Sequence, residues 1–136
     1  MIHRVVFDTN ILISALLSLR GAPFRCVALA RLGVVQSVTC EQILDEFAEK
    51  LRTKFGFDEE HVQQAVHEIR TCSQVVFVPG ALRAIPEDPD DDVVLECALN
   101  GNAEIVVSGD RHLRSLGHYE SIRILSANEF LSVALE

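Results

Sequence analysis

The chain has 136 residues, of which 49% are hydrophobic, and its formal net charge is -8. This length predicts a single domain, residues 1–136, with a sizeable core, and the charge argues against a nucleic-acid binder that relies on a basic surface. Because no apolar run reaches the roughly 18 residues of a membrane span and no basic leader precedes the first predicted strand, we expect neither a membrane anchor nor a signal peptide.

The chain opens with a predicted strand that ends at an aspartate. Residues 5–7 are β-branched or aromatic, which indicates a buried strand. Asp8-Thr-Asn10 interrupts this run with residues that favour turns and helix N-caps, and the apolar segment 11–17 predicts a buried helix. Ligands of open α/β sheets bind at the carboxyl ends of strands, so Asp8 is a candidate site residue as well as a candidate cap.

Strand-like and helix-like segments then alternate along the chain. Further strands are predicted at 34–38, 74–78, 104–107 and 122–125, helices at 24–32, 39–55, 58–69, 93–99, 113–116 and 126–134, and a loop at 81–92. This alternation predicts an α/β fold, a three-layer α/β/α sandwich with a mainly parallel central sheet of about five strands.

Several helix starts carry capping residues. Thr39 is expected to open the longest helix, with Gln42 in the reciprocal capping position. Asp58 is expected to cap the following helix, and Ser126 and Glu129 to form a capping box.

Acidic residues collect at the ends of the predicted segments. Asp8 follows the first strand, Asp110 follows the fourth, and the run Asp88-Pro-Asp-Asp-Asp92 precedes the helix at 93–99. Right-handed crossovers place the carboxyl ends of parallel strands at one edge, so we expect Asp8 and Asp110 at the same rim. Asp91, at the start of the next helix, can point there too. The long helix adds three acids that can reach this rim: Asp45, Glu46 and Glu49.

Carboxylates gathered in this way require a cation. Two unit charges about 4 Å apart repel by roughly 4 kcal/mol at an effective dielectric constant near 20, whereas Mg²⁺ and Mn²⁺ accept all-oxygen ligand sets. The four cysteines and five histidines lack the spacing of zinc ligands, so we expect reduced thiols, a cytoplasmic location and Mg²⁺ or Mn²⁺ as cofactor. An EF-hand starting at Asp88 is excluded because Val93 occupies its glycine position and Leu99 its glutamate position.

Four segments, in this order, resemble the motifs of the PIN-domain family, in the group of toxin components of toxin–antitoxin pairs. They are Val5–Asn10, Ile43–Phe47, Asp88–Leu99 and Val106–Leu113. The resemblance covers essentially the whole chain, through the closing segment Ser126–Phe130.

The resemblance implies a set of catalytic, metal-binding carboxylates: Asp8, Glu46, Asp91 and Asp110. It selects Glu46 from the three acids of the long helix and Asp91 from the acidic run, choices that the residues alone leave open. Asparagine is usual in the family at position 92, so Asp92 here adds charge or shares the metal. Asn10 and Ser108 resemble polar helpers that orient the first acid and contact phosphate or water.

The implied activity is that of a Mg²⁺/Mn²⁺-dependent phosphodiester hydrolase, an endoribonuclease that cuts single-stranded RNA and leaves 5′-phosphate and 3′-hydroxyl ends. Two ions roughly 3.5–4 Å apart would serve such chemistry. The expected partners are the RNA substrate, an antitoxin that covers the acidic rim with an arginine or lysine, and a second copy in a homodimer.

Other function classes also gather acids at strand ends. A phosphoacceptor receiver domain is disfavoured because Lys50 and Lys54, the two lysines of the chain, fall in the predicted long helix and not after a late strand. A haloacid-dehalogenase-type phosphatase needs Asp-x-Asp after the first strand, where this chain has Asn10. The alternative that stays open is a catalytically silent PIN fold that serves as a binding or regulatory module.

Overall fold

The computed structural model describes residues 2–85 and 88–136. The strands are β1 (Arg4–Phe7), β2 (Gln36–Thr39), β3 (Ser73–Val75), β4 (Ile105–Val107), β5 (His118–Tyr119) and β6 (Ile122–Leu125). The helices are α1 (Thr9–Leu17), α2 (Ala22–Arg31), α3 (Glu41–Thr53), α4 (Glu59–Thr71), α5 (Pro89–Asn100), α6 (Arg111–Leu116) and α7 (Ala127–Ala134). The predicted α/β fold is therefore confirmed.

The six strands form one sheet in the order β3-β2-β1-β4-β6-β5. The neighbouring pairs run parallel except β5 and β6, which are antiparallel. Successive connections move outward from β1 to β3, and the chain then returns to β4 on the other side of β1. This reversal makes the gap between β1 and β4 the switch point of the sheet, where α/β proteins bind their ligands.

The helices cover both faces of the sheet. Helices α1, α2, α3, α4 and α7 contact one another in a connected series, whereas α5 packs on β1, β2 and β4. The change of crossover direction between β3 and β4 places α5 on the face opposite α1 to α4. The sheet thus forms the middle of three layers, as the sequence predicts.

The apolar side chains of the two central strands are buried. Val5, Val6 and Val106 have no accessible surface, and Phe7 packs edge-to-face on Phe130 of α7 with ring centroids 6.1 Å apart. Burial on both faces is typical of parallel sheets. The residues that directly follow β1 and β4 therefore start from rigid backbone.

The predicted start of the longest helix is wrong. Thr39 is the last residue of β2, where it pairs with Val75, and α3 begins after Cys40, whose side chain makes no capping hydrogen bond. Gln42 forms no capping box, because its Nε2 donates to the carbonyl oxygen of Val78 at 2.6 Å. Pairing with β3 extends β2 past the point where local capping preference would start the helix.

The predicted loop at 81–92 is too long at its end. Helix α5 begins at Pro89, and Asp88 caps it by accepting from the backbone N–H of Asp90 at 3.0 Å. Proline is favoured in the first turn because its missing N–H needs no partner there. Pro86 and Glu87 of the predicted loop lie outside the described residues.

The other differences are shifted segment ends and one additional short strand. The third strand covers 73–75 where 74–78 was expected, and β5 was not predicted because two residues carry no readable periodicity. The predicted cap at Asp58 and the capping box of Ser126 and Glu129 are confirmed. Among the described residues, no single helix is both long and apolar enough to cross a membrane; α1 and α2 reach that length and composition only as a pair bent by 99°.

Candidate metal centre

The site is built on the register between the two central strands. Phe7 is paired with Val107, and the backbone N–H of Asp8 donates to the carbonyl oxygen of Val107 at 3.0 Å. Asp8 and Ser108, each the first residue after its strand, therefore stand side by side at the switch point. Both are almost completely buried, with exposures of 6% and 0%.

Ser108 connects two of the predicted acids. Its hydroxyl donates to Oδ2 of Asp8 at 2.7 Å and accepts from the backbone N–H of Asp110 at 2.9 Å. The other oxygen of Asp8, Oδ1, accepts from the backbone N–H of Thr9 at 2.8 Å. Burial raises the pKa of Asp8 above its usual value although these hydrogen bonds oppose the change. The structure thus holds Asp8 in one orientation from two sides.

Asp110 caps the short helix α6. Its Oδ1 accepts from the backbone N–H groups of His112 at 2.8 Å and Leu113 at 3.2 Å. Burial acts to raise the pKa of Asp110, but the hydrogen bonds from Leu113 and His112 outweigh it and lower the pKa below its usual value. Asp110 is therefore a carboxylate at neutral pH.

Asp91, in the first turn of α5, is the least satisfied of the acids. It is 4% exposed, and its Oδ2 is buried without a hydrogen-bond partner in the described part of the chain. Burial, reinforced by the negative charges of Asp110, Asp88 and Asp8 and by the contact of its carboxyl group with that of Asp110, raises the pKa of Asp91 to about 8. Buried polar atoms are normally paired, and an orphaned carboxylate oxygen among other carboxylates is explained by a cation.

Glu46 stands slightly apart from these three acids. It lines a small cavity of about 50 Å³ together with Thr9 and Asp90, and its Oε1 lies 3.8 Å from Nζ of Lys50. Burial and the neighbouring Asp90 raise the pKa of Glu46, while Thr9 and Lys50 oppose the change.

The two competing acids of α3 face elsewhere. Asp45 and Glu49 line a separate recess with Arg52 and Arg70, between α3 and α4. Of the three acids that the sequence leaves open, Glu46 is thus the one directed toward α1 and α5.

Two residues outside the predicted set join the acids at the rim. Asp88 and His112 each offer a ligand atom that lies, with atoms of Asp91 and Asp110, in a group whose members are all within 4.8 Å of one another. In the sequence, His112 belongs to no set of histidines and cysteines with the spacing of zinc ligands. The signal that could have found His112 is its position two residues after Asp110, in the first turn of the same helix.

The predicted supporting residues have different surroundings. Ser108 orients Asp8, as described above. Asn10 is exposed, and its Oδ1 accepts from Nζ of Lys50 at 3.2 Å. Asp92 is buried, but its Oδ1 accepts from the backbone N–H groups of Ala84 and Ile85, both at 2.7 Å. Asp92 therefore anchors the segment before α5, and we leave it out of the ligand set.

The residues at the rim fit a divalent ion. The rim offers several carboxylates, of which Asp91 has a buried oxygen without a partner, and hard divalent cations prefer such oxygen ligands. A doubly charged ion would offset the repulsion that now raises the pKa of Asp91.

Comparison with known proteins adds one match. A family model described as the PIN domain matches residues 4–112, which is most of the 136-residue chain and includes all the acids of the rim. No curated protein matches the chain closely enough to indicate a relative.

Proposed function

This chain belongs to the PIN-domain family, and we propose that it is a metal-dependent endoribonuclease that cleaves single-stranded RNA. The family is one of nucleases that generally depend on divalent metal ions. The observation that carries the proposal for this chain is Oδ2 of Asp91, which is buried amid acids that repel it and has no hydrogen-bond partner among the described residues. An arrangement that costs stability in the free protein is expected where it serves to bind an ion.

The proposed ligands of Mg²⁺ or Mn²⁺ are Asp8, Glu46, Asp91 and Asp110. When bound, such an ion activates water at neutral pH and offsets the charge that develops on a phosphodiester. The roles of the residues follow from their contacts. The bonds that Ser108 makes to Asp8 and to the backbone of Asp110 fix two ligands relative to each other. Rigid ligands need no reorganisation as charge develops, which favours the transition state.

Lys50 is the basic side chain that we propose to contact the RNA backbone. Its Nζ lies 3.2 Å from Oδ1 of Asn10 and 3.8 Å from Oε1 of Glu46, at the edge of the acidic rim. In a protein of net charge -8, the substrate phosphates need local positive charge to approach the carboxylates. The ammonium group and the bound ion would supply it together.

The resemblance described above further supports a toxin of a toxin–antitoxin pair that acts in the cytoplasm. In this proposal, a cognate antitoxin covers the rim with a basic side chain, and two copies of the chain form a homodimer. Co-purification of the product of the neighbouring gene and the mass of the isolated protein in solution test these two points.

Cleavage of a labelled single-stranded RNA tests the activity. We expect cleavage with Mg²⁺ or Mn²⁺, loss of cleavage with EDTA, and loss in Asp8→Asn and Asp110→Asn. Asp45→Asn is the matched control, because Asp45 is an acid of α3 that lines the recess beside α4 and not the cavity that Glu46 shares with Thr9 and Asp90. Products with 5′-phosphate ends support hydrolysis by water. Cleavage that persists in EDTA and in both rim variants contradicts the proposal.

The silent-module alternative makes a different prediction in the same experiment. It predicts that the protein retains RNA, measured by a mobility shift, but leaves the RNA intact with every divalent ion. Retention without cleavage by freshly purified wild type would therefore favour the alternative.

A further inference from the structure

A second donor set overlaps the proposed carboxylates. Asp91 and Asp110 share the rim with Asp8 on one side and with Asp88 and His112 on the other. One ligand atom from each of Asp88, Asp91, Asp110 and His112 lies within 4.8 Å of the other three. Opposite ligands of an octahedral ion are about 4.2 Å apart, twice a bond of about 2.1 Å. A contraction of about half an ångström would therefore bring all four into a coordination sphere of this size.

Two of the four side chains are already held by their own helices. Asp88 caps α5 and Asp110 caps α6, and in each case the oxygen that accepts from the helix backbone is Oδ1. Within the described residues, neither Oδ2 atom accepts a hydrogen bond from an N–H group, and the carboxyl group of Asp110 lies in hydrogen-bonding contact with that of Asp91. Capping therefore orients both groups and leaves one oxygen of each for another partner.

The other two side chains carry buried atoms that lack partners. Oδ2 of Asp91 and Nδ1 of His112 are both buried without a hydrogen bond in the described part of the chain, and Asp91 as a whole is 4% exposed. Nδ1 of His112 lies 3.8 Å from Oδ1 of Asp110, too far for a hydrogen bond. Both atoms are acceptors when Asp91 is ionised and His112 carries its proton on Nε2. A cation would satisfy both atoms and would at the same time offset the charges of the neighbouring carboxylates.

We propose that Asp88, Asp91, Asp110 and His112 bind one divalent ion through three carboxylates and an imidazole nitrogen, and that this donor set selects Mn²⁺ over Mg²⁺. Carboxylate sites suit Mg²⁺ and Mn²⁺ alike, but imidazole is a ligand of transition metals. Mn²⁺ also exceeds Mg²⁺ in its tolerance of irregular coordination, because Mg²⁺ requires near-ideal octahedral geometry and gives up its waters reluctantly. His112 is thus the residue that would set the choice of ion.

The inference rests on the proposed function in one respect, that the ion binds at the same rim. Ion binding itself can be measured without RNA, so the two proposals can be tested separately. Electron paramagnetic resonance of Mn²⁺ added to the full-length protein gives both readouts. Loss of the free-ion signal gives the affinity, with Mg²⁺ as the competitor. Electron spin-echo envelope modulation reports a ¹⁴N nucleus bonded to the ion.

We expect ¹⁴N modulation in the wild type and its loss in His112→Gln. The same substitution should weaken Mn²⁺ binding at least about tenfold, as changes around metal sites commonly do, and should change Mg²⁺ binding less than about twofold because Mg²⁺ prefers oxygen ligands. His67→Gln is the matched control, because His67 is an exposed histidine of α4. Asp88→Asn, which preserves a good N-cap residue, should weaken both ions and retain the modulation.

Three results would overturn the inference: no Mn²⁺ binding by the wild type, Mn²⁺ binding without ¹⁴N modulation, or equal Mn²⁺ affinity in wild type and His112→Gln. The proposed function fails separately. If RNA stays intact while Mn²⁺ binds with ¹⁴N modulation, the ion site stands and the nuclease proposal falls. If Mg²⁺ supports cleavage while His112→Gln leaves Mn²⁺ affinity unchanged, the nuclease stands and the inference falls.

Discussion

Replacing Asp91 by asparagine is expected to stabilise the protein when no metal is present. The substitution keeps the size and shape of the side chain and leaves it without charge at any pH. In the wild type, Asp91 sits among Asp8, Asp88 and Asp110, whose negative charges, together with burial, raise the pKa of Asp91 to about 8. The wild type therefore loses stability as it ionises this group, and the variant does not.

The pH window follows from the two pKa values of Asp91. The ordinary value is 3.8 and the value in the folded protein is about 8. Because the folded protein holds the Asp91 proton more tightly than the unfolded chain does, protonation of Asp91 contributes fully to the free energy of unfolding below pH 3.8. This contribution is lost as the pH rises through about 8. The full difference corresponds to at most about 6 kcal/mol. Water at the open rim screens the charges, so we expect roughly 2–3 kcal/mol.

Urea denaturation in EDTA at a series of pH values between 4 and 9 measures this difference. We expect wild type and Asp91→Asn to have similar free energies of unfolding near pH 4, and the variant to be the more stable by an amount that grows up to about pH 8 and then stays constant. The raised pKa of Asp8 acts in the same direction in both proteins, so it largely cancels from the comparison. Asp45→Asn serves as the control for loss of one negative charge.

Saturating Mn²⁺ should make the wild type more stable than Asp91→Asn. The ion stabilises the form that binds it, by about 4.1 kcal/mol at a thousandfold excess over Kd, which exceeds the advantage of the variant, and the variant lacks one proposed ligand. A variant that is less stable than the wild type in EDTA at pH 8, or a difference that does not change between pH 4 and pH 8, would refute the reasoning.

Three further substitutions test other contacts. Ser108→Ala removes the hydroxyl that orients Asp8, and we expect a loss of roughly 1–3 kcal/mol in urea denaturation and about tenfold or more in Mn²⁺ affinity; unchanged affinity would show that the hydroxyl does not position the ligands. Asp92→Ala leaves two backbone N–H groups without their acceptor, so we expect a cost of roughly 2–3 kcal/mol and faster hydrogen exchange confined to the segment before α5. Gly101→Ala places a Cβ against Cγ1 of Val38 with too little room for both atoms, and the resulting overpacking should cost roughly 1–3 kcal/mol. A thermal midpoint equal to that of wild type would contradict this.

The sequence predicts the rim because one rule of topology is enough. Asp8 and Asp110 directly follow buried apolar strands, and parallel strands bring their carboxyl ends together. The same rule does not predict which side chain of a helix faces the rim. Successive helical residues point about 100° apart, so Asp91 and Asp92 are equally plausible until the position of α5 is known. In the structure, one belongs to the rim and the other accepts two backbone hydrogen bonds.

The role of Glu46 among the acids of α3 depends on long-range packing for the same reason. Asp45 and Glu49 line the recess beside α4, and only the packing of α1 and α5 on the other side of α3 distinguishes Glu46 from them. His112 was missed for a different reason. His112 meets the acids because of the tight turn at Asp110. Zinc-like spacing concerns only the distances in sequence between histidines and cysteines, so it does not pair a histidine with an aspartate.

The hydrogen bond between Ser108 and Asp8 joins residues 100 positions apart, and this separation gives the site an order of assembly during translation. A chain that grows from its amino end exposes Asp8 and Glu46 while β4 is still unmade. Asp8 then has neither the hydroxyl that orients it nor the neighbouring carboxylates of the rim. The rim is therefore complete only after β4 and the residues that follow it, up to Asp110, have been made.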